Sequence, residues 1–330
     1  MPKSWLVTGC AGFIGSHLLE TLLKHDQEVV GIDNFATGYD RNLREVQALV
    51  TEDQWDRFRL IRGDIQDHGI CKEGVSGRDY ILHQAALGSV PGSIKDPIGA
   101  NGTNVTGFIN MLAACREAKV KRFVYASSCA VYGDQSDSPN RETDPCRPLS
   151  PYAVTKQINE LYAGQFAQHY GLECLGLRYF NVFGVRQDKE GAYAAVIPKW
   201  IAAMIEGEEI VIYGDGETTR DFCYVDNVVQ ANLLAATVSL NGIGGDRVFN
   251  IALGAQTTLR QLFEHLKEEA SGSLNHLHIG MPVYGDSRAG DVRISMGNIE
   301  RAAKYLGYAP THSVREGLAQ AMNWYISNSS

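Results

Sequence analysis

Hydrophobic positions in the first half of the chain follow two alternating patterns. Short apolar runs are typical of buried strands, and they occupy Trp5–Thr8, Glu28–Asp33, Arg59–Ile61, Tyr80–His83, Arg122–Ala126 and Cys174–Arg178. Between most of them lie segments with helical spacing, such as Ser16–Lys24, where four leucines share one face. Strands that alternate with helices predict an α/β fold with a doubly wound parallel sheet.

The pattern also predicts two domains. After Arg178 the chain leaves the predicted sheet, so we expect a first domain of residues 1–178 and a smaller α/β domain of residues 179–330. Within 222–254, the stretches "FCYVDNVVQANLLAAT" and "RVFNIAL" combine a helical and a strand pattern. We expect them to return to the first domain, which makes the second one discontinuous.

The amino-acid composition argues against several classes of function. The 330 residues are 44% hydrophobic and 21% charged, with a net charge of -8, so no basic face is available for nucleic acid or anionic lipid. No apolar run reaches the roughly 18 residues needed to cross a bilayer, and the N-terminus lacks a signal-peptide pattern. Seven cysteines without a CxxC pair predict reduced thiols in a cytoplasmic protein. Dispersed histidines predict no metal site.

The first strand leads into a glycine-rich turn, "GCAGFIG" at 9–15, which opens a helix. Such glycines let the backbone approach a pyrophosphate, and the helix N-terminus supplies N–H groups. Asp33 ends the next strand, 18 positions after Gly15, where a carboxylate accepts from ribose hydroxyls and repels a 2′-phosphate. The context predicts NAD rather than NADP; the alternative is a turn without a ligand.

Asp64 and Ile65 follow the third strand and are expected beside the adenine, although a polar strand end would have the same pattern.

A second group is "SPYAVTK" at 150–156. Pro151 suits a first helical turn, and Tyr152 and Lys156 are four residues apart, so they share one face of the helix. A free tyrosine is a poor base, but a nearby ammonium and a nicotinamide cation favour its phenolate. The pair is therefore suited to take a proton from a substrate hydroxyl while hydride leaves the same carbon.

Together these motifs resemble the extended short-chain dehydrogenases/reductases, with their Rossmann sheet, and more closely the bacterial UDP-N-acetylglucosamine 4-epimerases, relatives of UDP-galactose 4-epimerase. The resemblance runs nearly end to end. It rests on "TGCAGFIGSHLLE", "GIDNFATG", "GDIQD", "LHQAALGSVP", "SPYAVTK", "LRYFNVFG", "AYAAVIPKW", "GDGETTRDFCYVDN" and "RAGDVRIS".

The resemblance implies NAD in the first domain, a UDP-sugar held mainly by the second, and a role in polysaccharide biosynthesis. It also implies a homodimer through a four-helix bundle of the helices after Asn104 and after Tyr152. The implied catalytic residues are Ser128, Tyr152 and Lys156. The implied cofactor-binding residues are Gly9, Gly12, Phe13, Ile14, Gly15, Asp33, Asn34, Asp64, Ile65, Gln84, Ala85, Ala86, Asn104, Tyr152, Lys156 and Tyr179. The implied substrate-binding residues are Ser127, Ser128, Asn181, Ala195, Val196, Tyr213, Arg220, Arg288, Asp291 and Ser295.

Two serines compete for one role in "VYASSCAVYG" at 124–133. The family pattern places the active hydroxyl three residues before the valine of "VYG", which selects Ser128, with Ser127 as the alternative. Related 4,6-dehydratases carry Asp-Glu in the next two places, and decarboxylases carry a glutamate in the second. Here Cys129 and Ala130 stand there, which leaves C4 epimerisation through a 4-keto sugar as the simplest reaction.

The resemblance also suggests the substrate. Ser295 occupies the place that faces the C2 substituent of the sugar, where a small residue leaves room for an acetamido group and a tyrosine does not. We therefore expect UDP-N-acetylhexosamines. The uronic acid form, UDP-glucose/galactose and a non-catalytic NAD sensor remain open. Gly88 departs from the related epimerases, which often have a lysine near the cofactor phosphates.

Overall fold

Thirteen strands and thirteen helices lie in the described part of the chain, which comprises residues 2–135, 139–188, 195–244, 247–273, 279–286 and 292–328 of a computed structural model. The strands are β1 (Ser4–Thr8), β2 (Glu28–Asp33), β3 (Phe58–Arg62), β4 (Tyr80–His83), β5 (Arg122–Ser128), β6 (Cys174–Tyr179), β7 (Val182–Phe183), β8 (Val211–Tyr213), β9 (Thr219–Arg220), β10 (Cys223–Tyr224), β11 (Val248–Ile251), β12 (Thr257–Thr258) and β13 (Val283–Gly285). The helices are α1 (Phe13–Lys24), α2 (Asp40–Leu49), α3 (Glu52–Trp55), α4 (His68–Val75), α5 (Val90–Lys95), α6 (Pro97–Asn101), α7 (Phe108–Ala118), α8 (Pro151–Tyr170), α9 (Val196–Glu206), α10 (Val225–Thr237), α11 (Leu259–Ser273), α12 (Glu300–Leu306) and α13 (Val314–Ser327). A π-helical turn, Gly102–Gly107, precedes α7, and a 3₁₀ turn, Cys129–Tyr132, follows β5.

The predicted doubly wound parallel sheet is confirmed. Seven strands pair in parallel in the order β11-β6-β5-β4-β1-β2-β3. The chain starts in the middle at β1, proceeds to β3 at one edge, and then crosses back to β4 on the other side of β1. Folds of this kind bind ligands at the carboxyl ends of the strands where the strand order reverses.

Alternating side chains of the strands build two separate cores. Val7 of β1 packs in one core with residues of α1, α2 and α10, whereas its neighbour Leu6 packs in the other with residues of α4 and α7. Successive residues of a strand point to opposite faces, and both faces of this sheet are apolar because helices cover both.

A third core lies in the part of the chain that was predicted to form the smaller domain. It is formed by α9, α11 and α13, which bury Trp200, Phe263 and Leu318. Phe13 and Ile14, at the start of α1, pack against this core. The glycine-rich turn therefore lies at the junction of the two parts.

Two elements within residues 222–254 pack with the large sheet and its helices. α10 packs on α1, and β11 pairs with β6 as an edge strand of the large sheet. One difference concerns α12, which lies outside 222–254 in the part of the chain expected to belong to the smaller domain. Ala302 and Leu306 instead pack in the same core as α1 and α10.

Asp221 joins the two parts by hydrogen bonds. Its side chain is buried, Oδ1 accepts from the Leu253 amide at 2.8 Å, and Oδ2 accepts from the amides of Gly254 and Gly297 at 3.0 and 3.2 Å. These amides follow β11 and precede α12, so one carboxylate anchors both segments beside β9.

We expect Asp221→Ala to lower the free energy of unfolding by about 1–3 kcal/mol, because it leaves buried N–H groups without an acceptor. Urea denaturation measures the change. Asp56→Ala is the matched control, since Asp56 is exposed. Equal stabilities of the two variants would contradict this role of Asp221.

Candidate active site

A cavity of about 530 Å³ opens at the carboxyl ends of β1, β2, β4, β5 and β6. It gathers most residues that the motifs and the resemblance single out. The predicted residues that line it are Gly9, Gly12, Phe13, Ile14, Gly15, Asp33, Asn34, Asp64, Ile65, Gln84, Ala85, Ala86, Ser127, Ser128, Tyr152, Lys156, Tyr179 and Asn181.

The glycine-rich turn is sterically restricted to glycine at two places. Gly9 has a positive φ of 69°, and a Cβ there would lie 2.9 Å from the amide nitrogen of Ala85. A Cβ on Gly15 would lie 1.9 Å from the carbonyl oxygen of Gly9. Gly12 caps α1 without a side chain, so the first amides of the helix border the cavity. This cradle fits a pyrophosphate.

Asp33 is held firmly at the end of β2. Its Oδ2 accepts from the Ala11 amide and its Oδ1 from the Phe35 amide, each at 2.8 Å. Burial raises the pKa of Asp33, and the two amide hydrogen bonds oppose that shift. Each carboxylate oxygen has a second lone pair, so both can still accept from ribose hydroxyls.

Asn34 and Asp64 close the same end of the cavity. The side-chain Nδ2 of Asn34 donates to Asp64 Oδ2 at 2.8 Å. The backbone amide of Gln66 donates to Asp64 Oδ1, also at 2.8 Å. The residues after β2 and β3 therefore form one bonded wall beside Ile65.

A buried network fixes the floor between β4 and β6. Tyr179 donates to Gln84 Oε1 at 3.1 Å and accepts from Asn232 Nδ2 at 2.8 Å, while Gln84 Nε2 donates to Asn232 Oδ1 at 3.1 Å. Asn232, on α10, is fully buried and was not predicted as a site residue. Sequence motifs could not indicate this contact, because Asn232 and Gln84 are 148 positions apart in the chain.

Asn104 supports the cavity without lining it. Its side chain accepts from the Leu87 amide at 2.8 Å and donates to the Leu87 carbonyl at 3.1 Å. It also donates to Thr155 Oγ1 on α8 at 3.1 Å. Asn104 thus ties the loop after β4 to the helix that carries Tyr152 and Lys156.

The side chains of the two serines at the end of β5 have different partners. The Ser128 side chain interacts with the Tyr152 phenol and lowers its pKa, and it accepts from the Ala130 amide at 3.1 Å. Ser127 donates to Glu160 Oε1 at 2.5 Å. Because consecutive strand residues face opposite sides, only one of the two hydroxyls is directed to the tyrosine. This geometry favours Ser128.

Tyr152 and Lys156 are both in an environment of low polarity, where burial is the main influence on their pKa values. Burial raises the pKa of Tyr152 to about 12, although its hydrogen bond with Ser128 lowers it. Burial lowers the pKa of Lys156 to about 8, opposed by the charge of Glu160. The Lys156 ammonium donates to the Ala126 carbonyl at 2.8 Å and lies 5.8 Å from the centre of the Tyr152 ring. Tyr152 is thus neutral at pH 7 until a further positive charge enters the site.

Glu160 is a residue that sequence reasoning missed. Arg178 pairs with it through Nε at 2.9 Å and Nη2 at 2.7 Å, and both side chains are nearly inaccessible. Glu160 lies one turn after Lys156 on the same helix face, and this i, i+4 spacing was the available signal. Both serines line the cavity, but the Ser127 hydroxyl donates to Glu160 of this pair.

Cys129 lines the cavity next to Ser128. Burial raises the pKa of its thiol to about 11, so the sulfur stays protonated at neutral pH. Ala130, which follows it in the lining, has no proton to transfer. All seven cysteines of the chain are free thiols.

The predicted substrate residues other than the serines are spread more widely. Asn181 lines the cavity, and its side chain donates to the Asp221 carbonyl at 3.1 Å. Arg220 lies on β9 and donates to the carbonyls of Thr219 and Val292 at 2.9 and 2.6 Å. The Ser295 amide donates to the Thr219 carbonyl at 3.3 Å, which places Ser295 beside Arg220.

The remaining predicted positions lie in the smaller domain. Ala195 and Val196 start α9, and Tyr213 ends β8. The residues that line the cavity do not include these three, nor do they include Arg220 or Ser295. Arg288 and Asp291 lie outside the described residues.

The cavity also has lining residues that were not singled out. Ala36, Thr37 and Gly38, in the loop after Asp33, form part of its wall. Their signal was the match of "GIDNFATG", in which only Asp33 and Asn34 were predicted to bind the cofactor. Gly88, the departure from related epimerases, lines the cavity too.

The described part of the chain was searched for metal-binding clusters and for membrane-spanning helices. It contains no cluster of three His, Cys, Asp or Glu residues that could hold a metal ion. In the same ranges, every helix is too short or too polar to cross a membrane.

Comparisons with known proteins identify the class. Residues 5–252 match the NAD dependent epimerase/dehydratase family, and the chain therefore belongs to it. The cofactor is NAD. The glycine cradle, Asp33 and the open start of α1 are the features that fit it.

Solved structures cover nearly the whole chain. UDP-N-acetylglucosamine 4-epimerase from Methanobrevibacter ruminantium M1, in complex with UDP-N-acetylmuramic acid, is 37% identical with a TM-score of 0.88, over 99% of both chains. UDP-glucose 4-epimerase from Thermotoga maritima, with UDP-glucose, is 36% identical with a TM-score of 0.88, over 99% of this chain and 100% of that one. A mutant UDP-glucuronic acid 4-epimerase from Bacillus cereus, with NAD and UDP-4-deoxy-4-fluoro-glucuronic acid, is 31% identical with a TM-score of 0.86, over 98% of this chain and 99% of that one.

The two serines predict different mutant phenotypes. Ser128→Ala should lower kcat about 100-fold, because the group that bonds Tyr152 is lost. Ser127→Ala should mainly lower the free energy of unfolding, by about 1 kcal/mol, because buried Glu160 loses a donor. Steady-state kinetics and urea denaturation of both variants measure this, and a larger kcat loss in Ser127→Ala would transfer the role to Ser127.

Proposed function

We propose that this protein is a UDP-sugar 4-epimerase whose preferred substrates are UDP-N-acetylhexosamines, interconverted at C4 through a 4-keto sugar. The observation that carries the reaction type is the Ser128–Tyr152 pair in the NAD cleft, followed by Cys129 and Ala130. Removal of water across C5 and C6 needs further acid and base groups. A thiol with a pKa of about 11 and a methyl group supply neither at neutral pH.

In this mechanism Tyr152 is the acid/base. Ser128 hydrogen-bonds both the phenol and the reacting C4 hydroxyl, and so relays the proton of the sugar to Tyr152. Because burial disfavours the phenolate, Tyr152 needs the nearby charge of Lys156 and that of the bound cofactor. The glycine cradle and Asp33 would hold NAD, which would supply the acceptor for the C4 hydride and its return to the opposite face of the sugar.

Lys156 keeps its own proton with help from Glu160. Burial favours loss of the ammonium proton, and the carboxylate one turn away opposes that loss. The hydrogen bond to the Ala126 carbonyl fixes its direction. Lys156 therefore supplies a fixed positive charge beside the ring of Tyr152.

The UDP group is assigned to the smaller domain. Asn181 lines the cavity, and Arg220 is close enough to Cys129 to influence its titration. A guanidinium is suited to phosphate oxygens because its donors form a planar fork. Arg288 and Asp291 complete this predicted set.

Two observations support an uncharged N-acetyl sugar. Ser295 is small, half-buried and adjacent to Arg220 along the Thr219 backbone. Among the described residues that line the cavity, Lys156 has the only cationic side chain, and it already donates to a carbonyl. A uronic acid would add a carboxylate that needs its own partner. UDP-glucuronate and UDP-glucose are therefore the alternative substrates to be tested.

The homodimer remains a prediction. Its support is an exposed apolar surface on α8 that includes Val154, Leu161 and Tyr162. Exposed apolar patches on one face of a helix are typical of protein interfaces. A bundle of α7 and α8 with their copies would cover them.

Tyr152→Phe should reduce kcat/KM for UDP-N-acetylglucosamine by at least about 100-fold, since only the acid/base oxygen is removed. Bound NAD and the melting temperature should be unchanged. Chromatographic separation of the two UDP-sugar epimers measures turnover, and Tyr170→Phe, at the exposed end of α8, is the matched control. Activity like that of the wild type would refute the mechanism.

Ser295→Tyr should selectively reduce activity on N-acetylated sugars, because the added ring takes the volume that the acetamido group needs. The readout is the ratio of kcat/KM for UDP-N-acetylglucosamine to that for UDP-glucose, with UDP-glucuronate assayed in parallel. An unchanged ratio would exclude Ser295 as the specificity residue. Preferential turnover of UDP-glucuronate by the wild type would overturn the substrate proposal.

A further inference from the structure

A loop far from the NAD motifs in sequence reaches the wall of the cofactor cleft. This loop, Gly184–Asp188, follows β7 and is anchored to the smaller domain, where Tyr325 donates to the Gly184 carbonyl at 2.9 Å. Gln187 also fastens it, through a hydrogen bond to the Val182 carbonyl at 3.0 Å. The other end of the loop contacts the first domain.

Asp188 holds the segment that follows Asp33. Tyr39 donates to Asp188 Oδ2 at 2.6 Å, and Arg41 Nη2 lies 3.4 Å from Oδ1. The Arg41 guanidinium also stacks 4.2 Å from the centre of the Tyr39 ring. Tyr39 ends the loop Asn34–Tyr39, whose Ala36, Thr37 and Gly38 line the cavity. One carboxylate thus fastens a wall of the NAD site from 149 positions away in the chain.

Arg186 anchors the same loop to α1, the helix that begins at the glycine cradle. Its buried guanidinium pairs with Glu20 and donates to His17 Nδ1 at 3.0 Å, and His17 Nε2 contacts the Val185 carbonyl at 2.8 Å. Guanidinium only donates and a carbonyl only accepts, so His17 is neutral with its proton on Nε2. Burial, which lowers the pKa of His17 to about 3, agrees with this.

Both joined loops contain a strained residue. Arg186 has a φ of 65° and Phe35 a φ of 58°, left-handed values that residues with a side chain rarely adopt. Such conformations persist only where surrounding contacts enforce them, and they cluster at ligand clamps. Phe35 is covered by the Arg62 guanidinium at 4.1 Å from its ring centre.

We propose that the loop Gly184–Asp188 is a latch that retains NAD, with Asp188 as the positioning residue that keeps the loop Asn34–Tyr39 closed on the cofactor. NAD then leaves only after the contacts of Asp188 with Tyr39 and Arg41 break. The latch rests on the proposed function, because a reaction that regenerates its own NAD is served by a cofactor that stays bound between turnovers.

The test measures NAD release from the purified holoenzyme. Alcohol dehydrogenase with excess ethanol reduces each released NAD, and the appearance of NADH gives the dissociation rate. Asp188→Ala and Tyr39→Phe should each raise this rate about tenfold, the effect of one charge-assisted hydrogen bond. Asp188→Asn keeps an acceptor oxygen and should give a smaller increase. The effects of Tyr39→Phe and Asp188→Ala should be less than additive in the double variant, since both changes break the Tyr39–Asp188 hydrogen bond.

Controls make the result decisive. Tyr170→Phe removes a hydroxyl outside the cleft and should release NAD at the wild-type rate. If Asp188→Ala does not fold, Tyr39→Phe decides, because it removes one oxygen and keeps the ring under Arg41. Rates within twofold of wild type in Tyr39→Phe and Asp188→Asn, or additive effects in the double variant, would overturn the latch. No UDP-sugar enters the assay, so failure of the latch and failure of the proposed epimerase activity are observed separately.

Discussion

The arrangement of the active site depends on one steric constraint, the contact between the two ends of the glycine-rich turn. Since a Cβ on Gly15 would lie 1.9 Å from the Gly9 carbonyl oxygen, α1 can begin where it does only with glycine at that position. The same close packing brings Gly9 against the backbone of Ala85 after β4. The helix therefore starts directly above the carboxyl ends of the central strands, with its first amides at the cavity. Asp33, Gln84 and the β5 serines are then positioned around a common cleft.

Buried polar groups hold the reacting residues within that frame. The ion pair of Glu160 and Arg178 is costly to bury, and pairs of this kind contribute more to specificity of arrangement than to stability in some proteins. Here it binds the Ser127 hydroxyl and lies one turn below Lys156. Asn104 has a similar function for the loop after β4. The uncharged, protonated state of Tyr152 follows from the same burial, which makes its basicity dependent on the charge that the cofactor brings.

The two halves of the proposed reaction cycle place different demands on the protein. Proton transfer needs a short, well-directed path, which we propose that Ser128 and Tyr152 provide. Hydride must leave and return to the same cofactor, so the protein must keep NAD bound while the sugar turns. The proposed latch would meet the second demand through the contacts of Asp188 with Tyr39 and Arg41, which do not include the reacting pair. Chemistry and retention are thereby assigned to separate parts of the structure.

The local sequence was sufficient to predict the strands of the sheet, the glycine turn with Asp33, and the Tyr152–Lys156 pair. These features depend on backbone geometry over a few residues, where periods of two and 3.6 determine which side chains share a face. The same reasoning could not find Asn232 beside Gln84, Asp188 beside Tyr39, or α12 against β11, because these partners are brought together only when distant elements pack. It also could not decide between Ser127 and Ser128 from the residues alone. The geometry that favours Ser128 comes from Glu160, which binds Ser127 and whose position relative to β5 is set by how α8 packs on the sheet.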